Sequence, residues 1–258
     1  MIVKATAELI YDFEPHTQII LSVQAAKSDD QTLVAERLSS SPEIAWLEDT
    51  DSIGQRRLRG IASGRTSIRY EVTVDNGARL LLPPTGEQHQ WGDLLPEVLE
   101  YLLPSRYCPS DVFMRFAQRT FGETGDGVAK VMAVMNWIAE HVDYVPGSSQ
   151  AEHDAEHTFT LRAGVCRDFA HLGISLCRAL NVPARAVSAY AVDLNPPDFH
   201  AIIEVYLADR WWLVDPTRLA PVEGVIRIGH GRDAADIAFM TTDRDCRLVS
   251  QTVTISRA

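Results

Sequence analysis

The sequence predicts an α+β fold in two domains, a β-rich one over residues 1–100 and a mixed one over 101–258. Three observations carry this. Residues 1–82 hold short apolar runs near period two, separated by polar turns. Between residues 111 and 180 the apolar period becomes helical. After residue 184 it returns to that of strands, so helices precede a mostly antiparallel sheet.

In the first domain Ile2-Val-Lys-Ala-Thr-Ala-Glu-Leu-Ile-Tyr11 alternates imperfectly, and Thr17-Gln-Ile-Ile-Leu-Ser-Val-Gln24 is a compact apolar strand. Further strands are expected over 32–38, 44–47, 56–62, 67–74 and 78–82. Asp75-Asn-Gly77 reads as a tight turn between the last two. Such a series suggests an all-β sandwich or a barrel-like sheet. His16, in a Glu-Pro-His-Thr turn, reads as solvated, and this half gathers no nucleophile, base and acid.

Pro83-Pro-Thr-Gly86 opens a linker. Asp111 can cap a helix through Phe113, Phe116 and Phe121. Gly125-Asp-Gly127 separates it from residues 128–141, where Val131, Val134, Met135, Ile138 and Val142 form an apolar face. The third helix opens at Cys166 and carries Phe169, Leu172, Leu176 and Leu180. It ends at Asn181-Val-Pro183, where Asn can take the left-handed cap and Pro cannot continue. Strands follow over 184–192, 199–207 and 211–215, with further ones at 226–228, 238–240 and 248–256.

A chain of 258 residues, 46% hydrophobic and 23% charged, suits a soluble globular protein. Its net charge of −11 argues against nucleic acid or an anionic membrane as partner. No apolar run approaches the roughly 18 residues of a membrane span. Met1-Ile-Val-Lys-Ala-Thr-Ala-Glu8 lacks the features of a signal peptide. Four cysteines without a C-x-x-C pair form neither a disulfide framework nor a thiol-rich zinc site. A cytoplasmic protein with reduced thiols is expected; the oligomeric state stays open.

Cys166 falls in the first turn of its helix, where free N–H groups and the helix dipole favour a thiolate. A nucleophilic thiol needs a base, and the base needs an acceptor that fixes its tautomer. His200 at a strand start and Asp215 at a strand end supply those types. A turn centred near Asp209 puts Asp215 opposite residues 202–204. Direct pairing with His200 needs a turn between Leu207 and Ala208, or a bulge. His153-Asp-Ala-Glu-His157 also has the H-x-x-E-H spacing of certain zinc proteases, with Glu156 as base. It lacks an apolar face and reads more simply as a polar lead-in.

Gly164-Val-Cys-Arg-Asp-Phe-Ala-His171, Pro183-Ala-Arg185 with Tyr190, Asp198-Phe-His-Ala201 with Glu204, and Trp212 with Asp215-Pro-Thr217 together resemble the transglutaminase-like superfamily. Pro104-Ser-Arg-Tyr-Cys108 and Tyr144-Val-Pro-Gly147 are similar to its bacterial branch, often described as cysteine proteases. The likeness covers roughly residues 100–220. The first hundred residues resemble, more weakly, the β-rich region that accompanies this bacterial type.

The resemblance implies a papain-like transglutaminase core in which helices pack on an antiparallel sheet. It makes Cys166 the nucleophile, His200 the general base and acid, and Asp215 the residue that orients the histidine. The implied reactions are acyl transfers at amide carbonyls of a peptide, protein or small amide: cross-linking, deamidation or hydrolysis. Animal transglutaminases carry a tryptophan after the cysteine and another upstream that helps hold the oxyanion. Here Arg167 follows Cys166, and the nearest upstream tryptophan is Trp137. The Cys166 N–H is one oxyanion donor, and Tyr144 and Trp137 are candidates for the second. Asp168 and Arg167 are read as bracing the helix start, and His171, about a turn and a third along and pointing away from the thiol's face, as a structural residue hydrogen-bonded to the sheet. No dense acidic loop suggests calcium, and no cofactor is expected. A zinc hydrolase at His153, Glu156 and His157, and a non-catalytic binding module, are the alternatives.

Overall fold

The computed structural model describes residues 1–52 and 54–258. The first half is built from β1 (Ile2–Leu21), β2 (Thr32–Ser41), β3 (Leu47–Thr50) and β4 (Arg56–Asp75). The two strands expected over 2–24 are one, and so are those expected over 56–74. β1 and β4 pair antiparallel from Ile2↔Asp75 to Leu21↔Leu58. The register shifts only between Phe13 and Thr17. Pro15 has no N–H for the ladder, and His16 takes a left-handed φ of 60° with its N–H donating to Ser63 Oγ at 2.8 Å. The expected turn at His16 is therefore a bulge inside a long strand.

Residues 78–82 form no strand, and Asp75-Asn-Gly77 is not a hairpin. The Asn76 amide instead donates to the Val225 carbonyl at 2.7 Å, and Arg79 reaches Asp30 and Val222. These long-range partners turn the chain toward the second half rather than back along β4.

The second half comprises α1 (Pro96–Leu99), α2 (Ser110–Phe121), α3 (Gly127–His141), β5 (Asp143–Tyr144), α4 (Ala155–Leu161), β6 (Ala163–Gly164) and α5 (Cys166–Ala179). It continues with β7 (Ala184–Ala191), β8 (Phe199–Leu207), β9 (Arg210–Val214), β10 (Val225–Gly231), β11 (Met240–Thr242) and β12 (Cys246–Arg257). Asp111 is not the cap of α2, which opens at Ser110 after Pro109. It lies in the first turn, where its charge suits the dipole. Asp126 caps α3 through the Ala129 N–H at 2.8 Å. α5 ends as its sequence implies, with Asn181 at φ 64°.

β10, β7, β8 and β9 form a four-stranded antiparallel sheet in that order. Twelve residues of α5 are buried between this sheet and the helices α2, α3 and α4. Arg178 of α5 ties the surroundings together, donating to the carbonyls of Ala184, Leu103 and Arg232 at 2.9, 2.9 and 2.7 Å.

β11 and β12 return to the first sheet, lying end to end along β1, with β12 paired from Val3↔Arg257 to Phe13↔Cys246. A division of the chain at residue 100 thus assigns to the second half two strands that hydrogen-bond to the first. The N-terminal sheet is open rather than a closed barrel. Its alternate residues Val3, Ala5, Ala7 and Leu9 on β1 and Ile68, Tyr70, Val72 and Val74 on β4 share one core with Tyr190, Val192, Phe199, Ile226 and Ile228. The sandwich expected within the first hundred residues is formed instead by that sheet and the four-stranded one. No helix among the described residues is long and apolar enough to cross a membrane.

The buried Tyr190 hydroxyl donates to the Val23 carbonyl at 2.7 Å across this core. Tyr190→Phe leaves that carbonyl unsatisfied and is expected to cost about 1–3 kcal/mol. Urea unfolding should show this as a lower midpoint at unchanged slope. An unchanged midpoint would mean the bond contributes nothing to joining the sheets.

Candidate active site

Cys166 is the first residue of α5, after Val165 in extended conformation. The buried Asp168 carboxylate accepts the Val165 N–H at 2.9 Å and the Ser149 hydroxyl at 2.9 Å. A Cβ at Gly164 would lie 2.6 Å from Asp168 Cβ, so glycine is what lets the carboxylate reach back. Arg167 donates to Ser149 Oγ at 2.7 Å and to the Gln150 carbonyl. Both residues after the cysteine therefore hold the helix start and the loop that follows Tyr144. Ser149 was not legible as part of this brace.

His200 is the second residue of β8, opposite Ala189 of β7. The β8–β9 turn places Ala208 and Asp209 at left-handed φ of 49° and 61°, with Leu207 opposite Arg210. The ladder runs to Ile203↔Val214. One step further would set Asp215 opposite Ile202, on the face that carries His200. The contact is thus a diagonal one, needing neither a shifted turn nor a bulge. His200 Nε2 and Asp215 Oδ2 are 2.9 Å apart.

Asp215 Oδ1 also accepts the N–H of Thr217 at 2.9 Å and its hydroxyl at 2.7 Å, while Oδ2 accepts the Ala220 N–H at 3.1 Å. Burial opposes its charge, but His200 and Thr217 outweigh burial and hold the carboxyl below its usual range. Sequence reasoning missed Thr217 and Ala220; the local signal was Asp-Pro-Thr, since an Asp often bonds the backbone two residues on.

Only 1% of His200 is exposed. Burial alone disfavours the imidazolium, yet the bond to Asp215 and then the influence of Cys166 raise its pKa to about 9. Nδ1 is buried and makes no hydrogen bond of normal geometry among the described residues. Cys166 is the other group acting on the ring. Contacts between base and nucleophile are often loose before substrate arrives. Cys166 is half-buried, whereas Cys108 and Cys177 are enclosed and burial pushes their thiols up to about 12.

Tyr144 pairs with Gly164 through the short β5–β6 ladder, which brings its ring to Phe169 at 5.8 Å. Its hydroxyl is pushed up to about 12, first by burial and then by Cys166. Tyr144 thus lies near the start of α5. Trp137 packs against the helical core: its ring stacks on His141 at 4.6 Å and on Phe159 at 5.5 Å, with Arg162 4.6 Å above it.

His171 stacks on Tyr107 at 5.1 Å, accepts the Ala234 N–H at 3.2 Å, and is driven down to about 4 by burial. It is neutral and structural. His153 precedes α4, Glu156 lies in the first turn, and the rings of His153 and His157 stack at 3.6 Å. Among the described residues no three His, Cys, Asp or Glu side chains converge as metal ligands there or elsewhere.

Residues 114–216, which include Cys166, His200 and Asp215, match the family model of the transglutaminase-like superfamily. The crystal structure of a candidate cysteine protease from Cytophaga hutchinsonii is 37% identical, with a TM-score of 0.93, and the match covers 99% of this chain and 90% of that one. An uncharacterized protein of Mycobacterium leprae is 29% identical over 151 residues, 54% of this chain and 53% of that protein. One from Mycobacterium tuberculosis is 32% identical over 109 residues, 36% of this chain and 35% of that protein. The chain spans about half the length of the Mycobacterium leprae relative it matches. It belongs to the transglutaminase-like superfamily, a family of cysteine-type hydrolases and acyltransferases.

The raised His200 pKa has a consequence for stability. A group whose folded pKa of about 9 exceeds its ordinary 6.5 contributes stability that is fully present below 6.5 and lost as pH rises through about 9. Urea unfolding of the wild type should therefore lose more stability between those limits than unfolding of His200→Gln. Equal losses would mean that His200 is not held as an imidazolium.

Proposed function

We propose that the protein is a cysteine-dependent enzyme acting at amide carbonyls of peptides or proteins through a thioester on Cys166. The observation that carries this is a buried histidine joined to Asp215 through one ring nitrogen and influenced as well by the helix-start Cys166. The relative from Cytophaga hutchinsonii, a candidate cysteine protease, supports a peptide substrate and water as acyl acceptor. The four free cysteines fit a reducing compartment, and a cytoplasmic setting is part of the proposal.

In this reading the Cys166 thiol has already given its proton to His200 Nδ1, and the thiolate Sγ of that ion pair attacks the carbonyl carbon. The carbonyl oxygen becomes an oxyanion that accepts from the Cys166 N–H and from the Tyr144 hydroxyl, which turns to it. The C–N bond then breaks, and His200 returns its proton to the leaving amine or ammonia. Water, or an amine, attacks the thioester with His200 as base. Sγ departs as the thiolate beside the His200 imidazolium, which restores the enzyme. Asp215 keeps Nε2 protonated throughout and stabilises each imidazolium.

A fluorogenic peptide-amide library read by kcat and KM tests the assignment. Cys166→Ala should abolish turnover. Tyr144→Phe should lower kcat about 10²–10³-fold, the cost of removing one oxyanion donor, with KM little changed. Trp137→Phe should behave as wild type. A Tyr144→Phe enzyme with undiminished kcat would remove Tyr144 from the oxyanion site. Iodoacetamide should label Cys166 ahead of the enclosed Cys108 and Cys177; the reverse order would remove Cys166 as nucleophile.

A further inference from the structure

The outer face of the first sheet keeps a polar pattern along most of its length. Lys4, Glu8 and Asp12 on β1 and Arg65, Arg69 and Glu71 on β4 alternate with residues that face the core. Beyond the bulge at His16 that pattern breaks. Thr17, Ile19 and Leu21 are still buried, but the outward residues now include Ile20 on β1, Ile61 on β4 and Leu47 on β3. They are 44%, 60% and 64% exposed.

Strand register makes these three neighbours. One row crosses the sheet from Thr241 on β11 through Ile20 and Arg59 to Leu47. The next outward row sets Gln18 opposite Ile61. Asp243 extends it, accepting the Gln18 backbone N–H at 2.8 Å and the Gln18 side-chain amide at 3.0 Å. The two rows line a cleft of about 600 Å³. Large apolar side chains gathered in one exposed hollow mark a contact surface, which singly scattered ones do not.

The charges indicate what covers it. The chain carries −11, yet the charged residues lining this hollow are Arg59 and Asp243, one of each sign. A strongly basic or acidic partner finds no matching field here, whereas a second copy meets little repulsion. Arg59 spends Nε and Nη2 on the exposed Asp49, at 2.6 and 3.1 Å, and its Nη1 makes no hydrogen bond among the described residues. Arg59 and Asp243 stand at opposite corners of the hollow, about 12 Å apart by strand spacing and rise. A two-fold axis in the contact plane, perpendicular to the line joining them, sets Ile20 and Ile61 close to their own copies. The same axis brings each Arg59 to the Asp243 of the other copy.

We infer that this face joins two copies of the chain as a reversible, isologous dimer. The hollow is smaller than the roughly 800 Å² that each partner gives up in a standard interface, so the dimer dissociates in the roughly micromolar to millimolar range. Nothing in this assignment depends on the chemistry at Cys166.

Sedimentation velocity of the full chain from about 1 μM to about 1 mM tests it. The mean mass should rise from monomer toward dimer and stop there. Ile61→Asp should raise the dissociation constant at least about tenfold, a loss near 1.4 kcal/mol. Ile61→Thr, which keeps the β-branch that suits a strand, should also weaken the dimer, and urea unfolding shows that each variant is folded. Arg59→Glu and Asp243→Arg should each weaken association, and the two together should restore part of it. The inference is overturned if the mass stays monomeric throughout or grows past the dimer. It is equally overturned if the folded Ile61 variants dimerise as wild type does, or if the combined charge reversal restores nothing.

Discussion

The site depends on keeping one imidazolium charged where water scarcely reaches. Burial works against His200, and only a fixed negative partner reverses the sign. Asp215 can be that partner because its own charge is secured by Thr217 and Ala220 as well as by the histidine. Pro216 prevents β9 from continuing, which frees the segment to fold back and supply those bonds. A carboxylate left on a regular strand would have lacked these donors.

The surrounding architecture serves that constraint. α5 lies in the helical core with its first turn held by Asp168 and Arg167, so Cys166 arrives at a fixed place. The first sheet covers the other side and also supports the loop ahead of His200. Gln251 on β12 donates to Asp198 at 2.6 Å, and Arg257 pairs with Asp193 at 3.1 Å. The last strand of the chain thus holds both ends of a loop that leads into β8. This gives the N-terminal sheet a physical role in the site without any residue of its own in the chemistry.

Much of this was readable from local pattern. The spacing of Phe169, Leu172, Leu176 and Leu180, with Asn181 and Pro183 beyond, marked α5 at both ends. Cys166, His200 and Asp215 were singled out by the resemblance to the superfamily rather than by residue type or spacing alone. Long-range choices were not readable. Thr17–Gln24 and Ile2–Tyr11 looked like separate strands because Pro15 and His16 mimic a turn, and only pairing with β4 shows the strand to be continuous. Asp75-Asn-Gly77 has hairpin chemistry, but Asn76 bonds to Val225, 149 residues away. Trp137 resembled an oxyanion residue by type alone, while its helix face directs it to Phe116, Phe121 and Phe159. Tyr144 was equally ambiguous until its ladder with Gly164 placed it near the start of α5.

The central claim is that Cys166 carries the acyl group, with His200 and Asp215 acting on it as a unit. Rapid quenching with a peptide-amide substrate, followed by intact-protein and peptide mass spectrometry, measures this most directly. The account predicts a transient acyl adduct on Cys166 that is lost with hydroxylamine and absent in Cys166→Ala. Turnover with no adduct on Cys166, or an adduct that forms equally well in Cys166→Ala, would contradict it.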